Sequence, residues 1–176
     1  IERDQLGQKS MFNYNYWCSP VGTINSTTNN NAYTVSGVMR DGTTATPQTI
    51  LWTSGFNGSP TTPAVTLSSY WIYKFQNLSP TYANWQFVGQ NGSLNAGQGF
   101  TLKGSNTALA NQNYTFLGKP NNGTITTPIA ANNLILTGNP YSSALNATQF
   151  LNDNTASTTR TIYFWQHYAS NNTHVT

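Results

Sequence analysis

The longest apolar patches in this chain, around Tyr70–Phe75 and Tyr163–Trp165, are only strand-length. That brevity limits what the chain can fold into. A membrane-spanning helix needs about 18 consecutive apolar residues, so no span is expected. Sustained spacings of three and four, the mark of a long amphipathic helix, are missing from most of the chain. What recurs is alternation over a few residues, closed by Gly, Asn, Asp or Pro.

Phe12, Tyr14 and Tyr16 alternate with Asn13 and Asn15 until Ser19-Pro20-Val21-Gly22 ends the run. Residues 23–49 are rich in Asn and Thr and read as a long loop, with a short strand at Tyr33–Val38 and a turn at Arg40-Asp41-Gly42. Further strands are expected at Ile50–Trp52, within residues 64–76 on either side of Ser68-Ser69, and at Trp85–Val88, Phe100–Gly104 and Tyr114–Gly118. Asn121-Asn122-Gly123 signals a hairpin turn into Thr124–Thr126. Leu134–Leu136 reads as a short buried strand and Thr161–Trp165 as a last one. Residues 142–152 break the pattern with a helical spacing that Ser142 or Ser143 would cap, so one short helix is expected there. Short strands spaced by turn signals predict an all-β fold: a single antiparallel β-sandwich domain over residues 1–176, jelly-roll-like, with one short helix near 142–152.

Charge narrows the function. Only 6% of the 176 residues are charged, against 13% aromatic; ordinary soluble chains carry about 25% charged residues. Neutral amides and hydroxyls must supply the solubility, and such groups do little acid–base chemistry. The basic residues Arg3, Lys9, Arg40, Lys74, Lys103, Lys119 and Arg160 are scattered, which argues against a nucleic-acid partner. The acids are Glu2, Asp4, Asp41 and Asp153, and no facing carboxylate pair for glycoside hydrolysis is evident. His167 and His174 are the only imidazoles. The lone Cys18 forms no internal disulfide, and its apolar context reads as a buried, inert thiol rather than half of a Cys18–His167 nucleophile pair. Gly97-Gln98-Gly99 lacks the rest of a phosphate-binding loop and reads as close backbone packing beside Phe100. No catalytic, cofactor-binding or zinc-ligand set emerges. Asp153, in Asn152-Asp153-Asn154, is a weak calcium candidate that reads better as part of a helix C-terminal cap.

The aromatics are the candidate ligand-binding residues. Trp71, Tyr73, Trp85, Tyr163 and Trp165 would offer sugar rings a stacking surface among abundant Asn, Gln and Thr, although strand aromatics usually serve as core. A non-enzymatic structural or adhesive module is the leading expectation, and a carbohydrate-binding module taking polysaccharide is the alternative. Missing charges also leave sheet edges weakly defended against pairing with copies of the chain. A sheet edge or aromatic patch covered by another domain, subunit or chain segment is therefore expected.

Three blocks carry a family resemblance. They are Tyr14-Asn15-Tyr16-Trp17-Cys18-Ser19-Pro20-Val21, then Ala96-Gly97-Gln98-Gly99-Phe100-Thr101-Leu102-Lys103-Gly104, and a long third block. The third runs from Phe116-Leu117-Gly118-Lys119-Pro120-Asn121-Asn122-Gly123 through Gly138-Asn139-Pro140-Tyr141-Ser142-Ser143-Ala144-Leu145 and Phe150-Leu151-Asn152-Asp153-Asn154 to Thr161-Ile162-Tyr163-Phe164-Trp165-Gln166-His167. Together they resemble a domain of large surface proteins exported by the type IX secretion system of gliding and biofilm-forming Bacteroidetes, with Cys18 where that family usually has Ser. The resemblance implies an extracellular, cell-surface location in multidomain adhesins. It also implies that the chain is a fragment of a longer protein, since the family usually continues with a further Gly-rich block and a sorting domain.

Overall fold

The computed structural model describes residues 1–5, 9–60, 64–76 and 85–167. The fold is all-β, as the alternation predicts, with one helix longer than a single turn among the described residues. Two sheets form its centre. Glu2–Gln5 (β1), Met39–Asp41 (β4), Gln48–Thr49 (β5) and Gln112–Phe116 (β11) make a four-stranded sheet in the order β1-β11-β4-β5. Tyr14–Cys18 (β2) pairs with Gly99–Lys103 (β10) in a second sheet, Phe100 opposite Trp17 and Lys103 opposite Tyr14. Trp17 bridges the two sheets, its ring edge-on to Tyr114 at 5.5 Å and tilted against Phe116 at 6.2 Å. Side chains from two sheet faces meeting over one core are the defining contact of a sandwich.

Short pairs extend this centre. Val21–Gly22 (β3) pairs with Lys119–Pro120 (β12), and Tyr73–Lys74 (β8) pairs with Gln86–Phe87 (β9). Leu51–Thr53 (β6) and Thr66–Ser68 (β7) pair in parallel, the one departure from the antiparallel expectation among the described strand pairs. A parallel pair needs a connection long enough to cross back, and residues 54–65 supply it.

The core gathers Val21, Tyr33, Val35, Val38, Met39, Ile50, Leu67, Ile72, Leu94, Phe100, Leu102, Tyr114 and Phe116, each at most 2% exposed. Phe100→Ala would cost roughly 3–5 kcal/mol on this burial. Two polar groups pin it. Tyr33 donates from its hydroxyl to the Gln98 carbonyl at 2.9 Å and accepts the Ser19 amide. Asp41, fully buried, accepts from the Thr43 amide and hydroxyl, the Val65 amide and the Gln112 amide group. A buried carboxylate persists when its lone pairs are filled in this way.

Several local expectations are corrected. Tyr33–Val38 is not a strand: Val35–Val38 (α1) is one helical turn capped by Thr34, whose side chain accepts from the Gly37 amide. It turns because Val35 and Val38, three apart, both reach the core. The break expected at Ser68-Ser69 is a 3-10 turn, Ser69–Trp71, so Tyr70 and Trp71 are not part of the strand that follows. Asn121–Gly123 is no hairpin; β12 pairs back with β3, and residues 124–133 run on without strand structure. Leu134–Leu136 is half-buried at best, held by an isolated bridge between Gln98 and Thr137 and by the Leu136 amide on the Phe75 carbonyl. The helix runs Ala147–Asp153 (α2), starting five residues into the expected window and ending one residue past it, with Asn146 rather than Ser142 or Ser143 as its cap. Thr161–Trp165 is unpaired and exposed rather than a strand. These departures lie outside the regular strand pairs, and alternation alone does not make a strand.

Candidate functional site

The site is an aromatic cleft. One wall is built by β2, β8, β10 and the 3-10 turn, and the other by the segment after β12. The period-two aromatic face of β2 points into this cleft and not into the core: Tyr14 and Tyr16 line it, while Trp17, on the opposite face, fills the core. The 3-10 turn does the same for the next stretch, sending Ile72 inward while Trp71, Tyr73 and Phe75 line the cleft.

All five sequence-predicted ligand residues come together here. Trp71 is the floor, 2% exposed, with its indole N–H donated to the Phe56 carbonyl at 2.8 Å. Tyr73 is half-buried, edge-on to Phe87 at 5.5 Å. Trp85 is 41% exposed and meets Phe75 at 5.0 Å and Tyr16 at 6.5 Å. Tyr163 and Trp165, on the far wall, are 77% and 74% exposed. Tyr14, Tyr16, Tyr70 and Phe75 were missed as site residues. The signal that could have found Tyr14 and Tyr16 is the Asn partners alternating with them, which mark a strand with two different environments.

Lys103 is the unexpected member. Its alternation on β10 turns it toward the cleft floor, and the residue is 1% exposed. Its ammonium lies 3.5 Å from the centre of the Trp71 ring and 4.4 Å from that of Tyr14. Two aromatic faces thus replace part of the lost hydration of the charge. Burial still pulls the Lys103 pKa down from 10.5 to about 8. Burial, helped by the neighbouring Tyr73, Tyr16 and Tyr70, pushes the Tyr14 phenol up to about 12, and burial does the same to Tyr16.

His167 closes the end of the cleft. Its Nδ1 accepts the Tyr14 amide at 3.1 Å, and its ring stacks on Tyr14 with centroids 5.8 Å apart. Burial, and the Lys103 charge beside it, hold its pKa below the ordinary imidazole value. The neutral ring, protonated on Nε2, is the form that can accept from an amide.

The remaining titratable groups are engaged elsewhere. Cys18 packs against Gly138, and burial raises its thiol to about 12, against smaller lowering by the Gly97, Gly138 and Ser19 main chain. Asp153, the calcium candidate, accepts from Gln149 at 2.6 Å on an exposed turn of α2, and Asn154 caps that helix by donating to the Phe150 carbonyl. Among the described residues no group of three His, Cys, Asp or Glu side chains is placed to hold a metal ion, and no helix is long and apolar enough to cross a membrane. Gly97, at φ +87°, and Gly99, where a Cβ would sit 2.7 Å from Leu136, explain the glycines before Phe100 as close backbone packing.

Comparison with curated proteins and with solved structures gave no match. A family model described as "Domain of unknown function (DUF8693)" matches residues 24–176, which include most of the cleft, and the chain belongs to that family.

Proposed function

We propose that this chain is a non-enzymatic module of a secreted or cell-surface protein, structural or adhesive in role, whose aromatic cleft contacts other domains or copies of the same protein. The single observation that carries the reading is the exposed aromatic pair beside the cleft, Trp85 at 41% and Phe87 at 63% exposure, with Phe87 edge-on to the cleft residue Tyr73. Apolar surface gathered in one place, rather than scattered, favours association. The state of the titratable groups supports the same reading. The Asp41 lone pairs are spent on the fold, the Cys18 thiol is held far from ionisation, and His167 is engaged by a main-chain amide. The surface location and type IX export rest on the sequence resemblance. Sedimentation velocity over a range of concentrations tests the contact: wild type is expected to associate, and Trp85→Ser/Phe87→Ser to stay monomeric. Protease accessibility of the full protein on intact cells tests the location.

The second reading, a carbohydrate-binding module, is favoured by the Tyr16, Phe75 and Trp85 rings standing next to the neutral amide of Asn15 in the cleft. Affinity electrophoresis in gels containing neutral polysaccharides tests it. Retardation lost on Trp85→Ala would support sugar binding, and equal mobility in every gel would remove it.

A further inference from the structure

The free edge of β2 has an unfilled hydrogen-bonding row. In an antiparallel pair, alternate residues direct their main-chain N–H and C=O to the neighbour and the rest direct them away. The Tyr14 amide goes to His167 and not to β10, although Tyr14 stands opposite Lys103. Tyr14, Tyr16 and Cys18 therefore turn their main-chain groups to the free edge. No backbone bond from Tyr16 to a residue outside β10 is found among the described residues. No charged side chain occurs between Lys9 and Arg40, so this edge lacks the usual electrostatic guard.

The segment leading to His167 has the matching deficit. Residues 161–165 carry no helix or strand structure and make no backbone–backbone bond among the described residues. Phe164 is 88% exposed. Its sequence, Ile162-Tyr163-Phe164-Trp165, is rich in the residue types strands favour. One end is already at the edge, because the His167 imidazole occupies the position on the Tyr14 amide that a neighbouring strand's carbonyl would take.

We propose that residues 163–167 are a strap that closes onto the free edge of β2 as an added antiparallel strand, covering the mouth of the aromatic cleft. The latch sets the register. With His167 opposite Tyr14, Trp165 falls opposite Tyr16 and Tyr163 opposite Cys18. Directly opposed residues share a face. The observed stacking of His167 on Tyr14 is that relationship already formed at one pair, and Tyr163 and Trp165 already line the same cleft as Tyr14 and Tyr16. On closure the His167 imidazole stays on the Tyr14 amide, the Trp165 carbonyl takes the Tyr16 amide, and Trp165 lies beside Tyr16, where Trp85 now stands at 6.5 Å. The occupant is the chain's own segment because the latch ties it to the edge, and a tethered strand acts at high effective concentration. The strap governs entry to the cleft whatever the cleft binds, so it goes beyond the function proposed above.

The test uses the whole chain with Cys18→Ser. Opposed residues at hydrogen-bonded positions lie about 5.5 Å apart between Cα atoms, within disulfide range. Under mild oxidation, Tyr16→Cys/Trp165→Cys is expected to form an intrachain disulfide in the monomeric fraction. The shifted pair Tyr16→Cys/Phe164→Cys, which closure places on opposite faces, is expected to form at least tenfold less. In the unmutated chain, hydrogen exchange is expected to show the Tyr16 amide protected at least tenfold over an unstructured amide. Crosslinks found only between chains, equal crosslinking of the shifted pair, or an unprotected Tyr16 amide would overturn the strap. The crosslinking and exchange readouts use neither Trp85 nor Phe87, so failure of the strap and failure of the contact surface are told apart.

Discussion

The Lys103 ammonium lies 3.5 Å from the centre of the Trp71 ring, inside the protein rather than at its surface. Burial pulls its pKa from 10.5 to about 8, so the unfolded chain holds this proton more tightly than the folded one. Its penalty is present in full below pH 8, and stability recovers as pH rises from 8 toward 10.5. Tyr14 and Tyr16 act oppositely above pH 10, and so does Cys18 above pH 9, because burial raises all three. The Lys103 contribution is therefore read as a difference between proteins. Urea unfolding of wild type and Lys103→Met between pH 7 and 10 should show the variant's stability advantage shrinking as pH rises. A constant difference would show that Lys103 titrates normally.

Asp41 ties β4 to the segment before β7 through the Val65 amide and to β11 through the Gln112 side chain, and accepts two further local bonds from Thr43. Asp41→Ala leaves the Val65 amide and the Gln112 side chain without this acceptor, at about 1–3 kcal/mol for each buried group left unsatisfied. Chemical denaturation should show a loss of about 2–6 kcal/mol on that basis. A loss below 1 kcal/mol would mean that other partners replace the carboxylate.

Cys18 should resist thiol reagents in the folded protein. Its raised thiol, to about 12, leaves almost no thiolate at pH 8. Ellman's reagent should react at the unfolding rate under native conditions and within minutes in guanidinium. Fast native reaction would contradict the packing against Gly138.

Acid should release the latch. His167 has its pKa lowered by burial and by Lys103, the charged neighbour, with the Tyr14 ring stacked on it. A group whose folded pKa is depressed contributes stability above its unfolded value, near 6.5, and loses it as pH falls below. Protonation also turns the acceptor of the Tyr14 amide into a donor. Exchange of that amide, corrected for the intrinsic pH dependence, should accelerate below pH 6.5 in wild type and not in His167→Phe. Parallel behaviour of the two proteins would remove His167 as the latch.

The strands that the sequence announces are those with both alternation and a partner. Phe100 and Tyr114 sit where their neighbours predict, because burial on one face and a paired strand beside it act together. Tyr33–Val38 misled because Val35 and Val38 satisfy a helical turn as readily as a strand. Tyr163–Trp165 misled in the other way: its residues suit a strand, and no neighbour is bonded to it. In the cleft, the five aromatics singled out by residue type all contribute to the lining. Lys103 was not legible, since nothing near it in sequence reveals that Trp71 and Tyr14 will close over its ammonium. That contact depends on the register of β10 against β2 and on the 3-10 turn at Ser69–Trp71.

In the function proposed above, an exposed aromatic surface, not charge or catalysis, makes this module's contacts. Sedimentation velocity of wild type and Trp85→Ser/Phe87→Ser, each in low and high salt, tests it most directly. Apolar contact predicts concentration-dependent association in wild type that persists or strengthens as salt rises, and a monomeric variant throughout. Association that disappears at high salt, equal association of the variant, or a wild type that is monomeric at every concentration would contradict it.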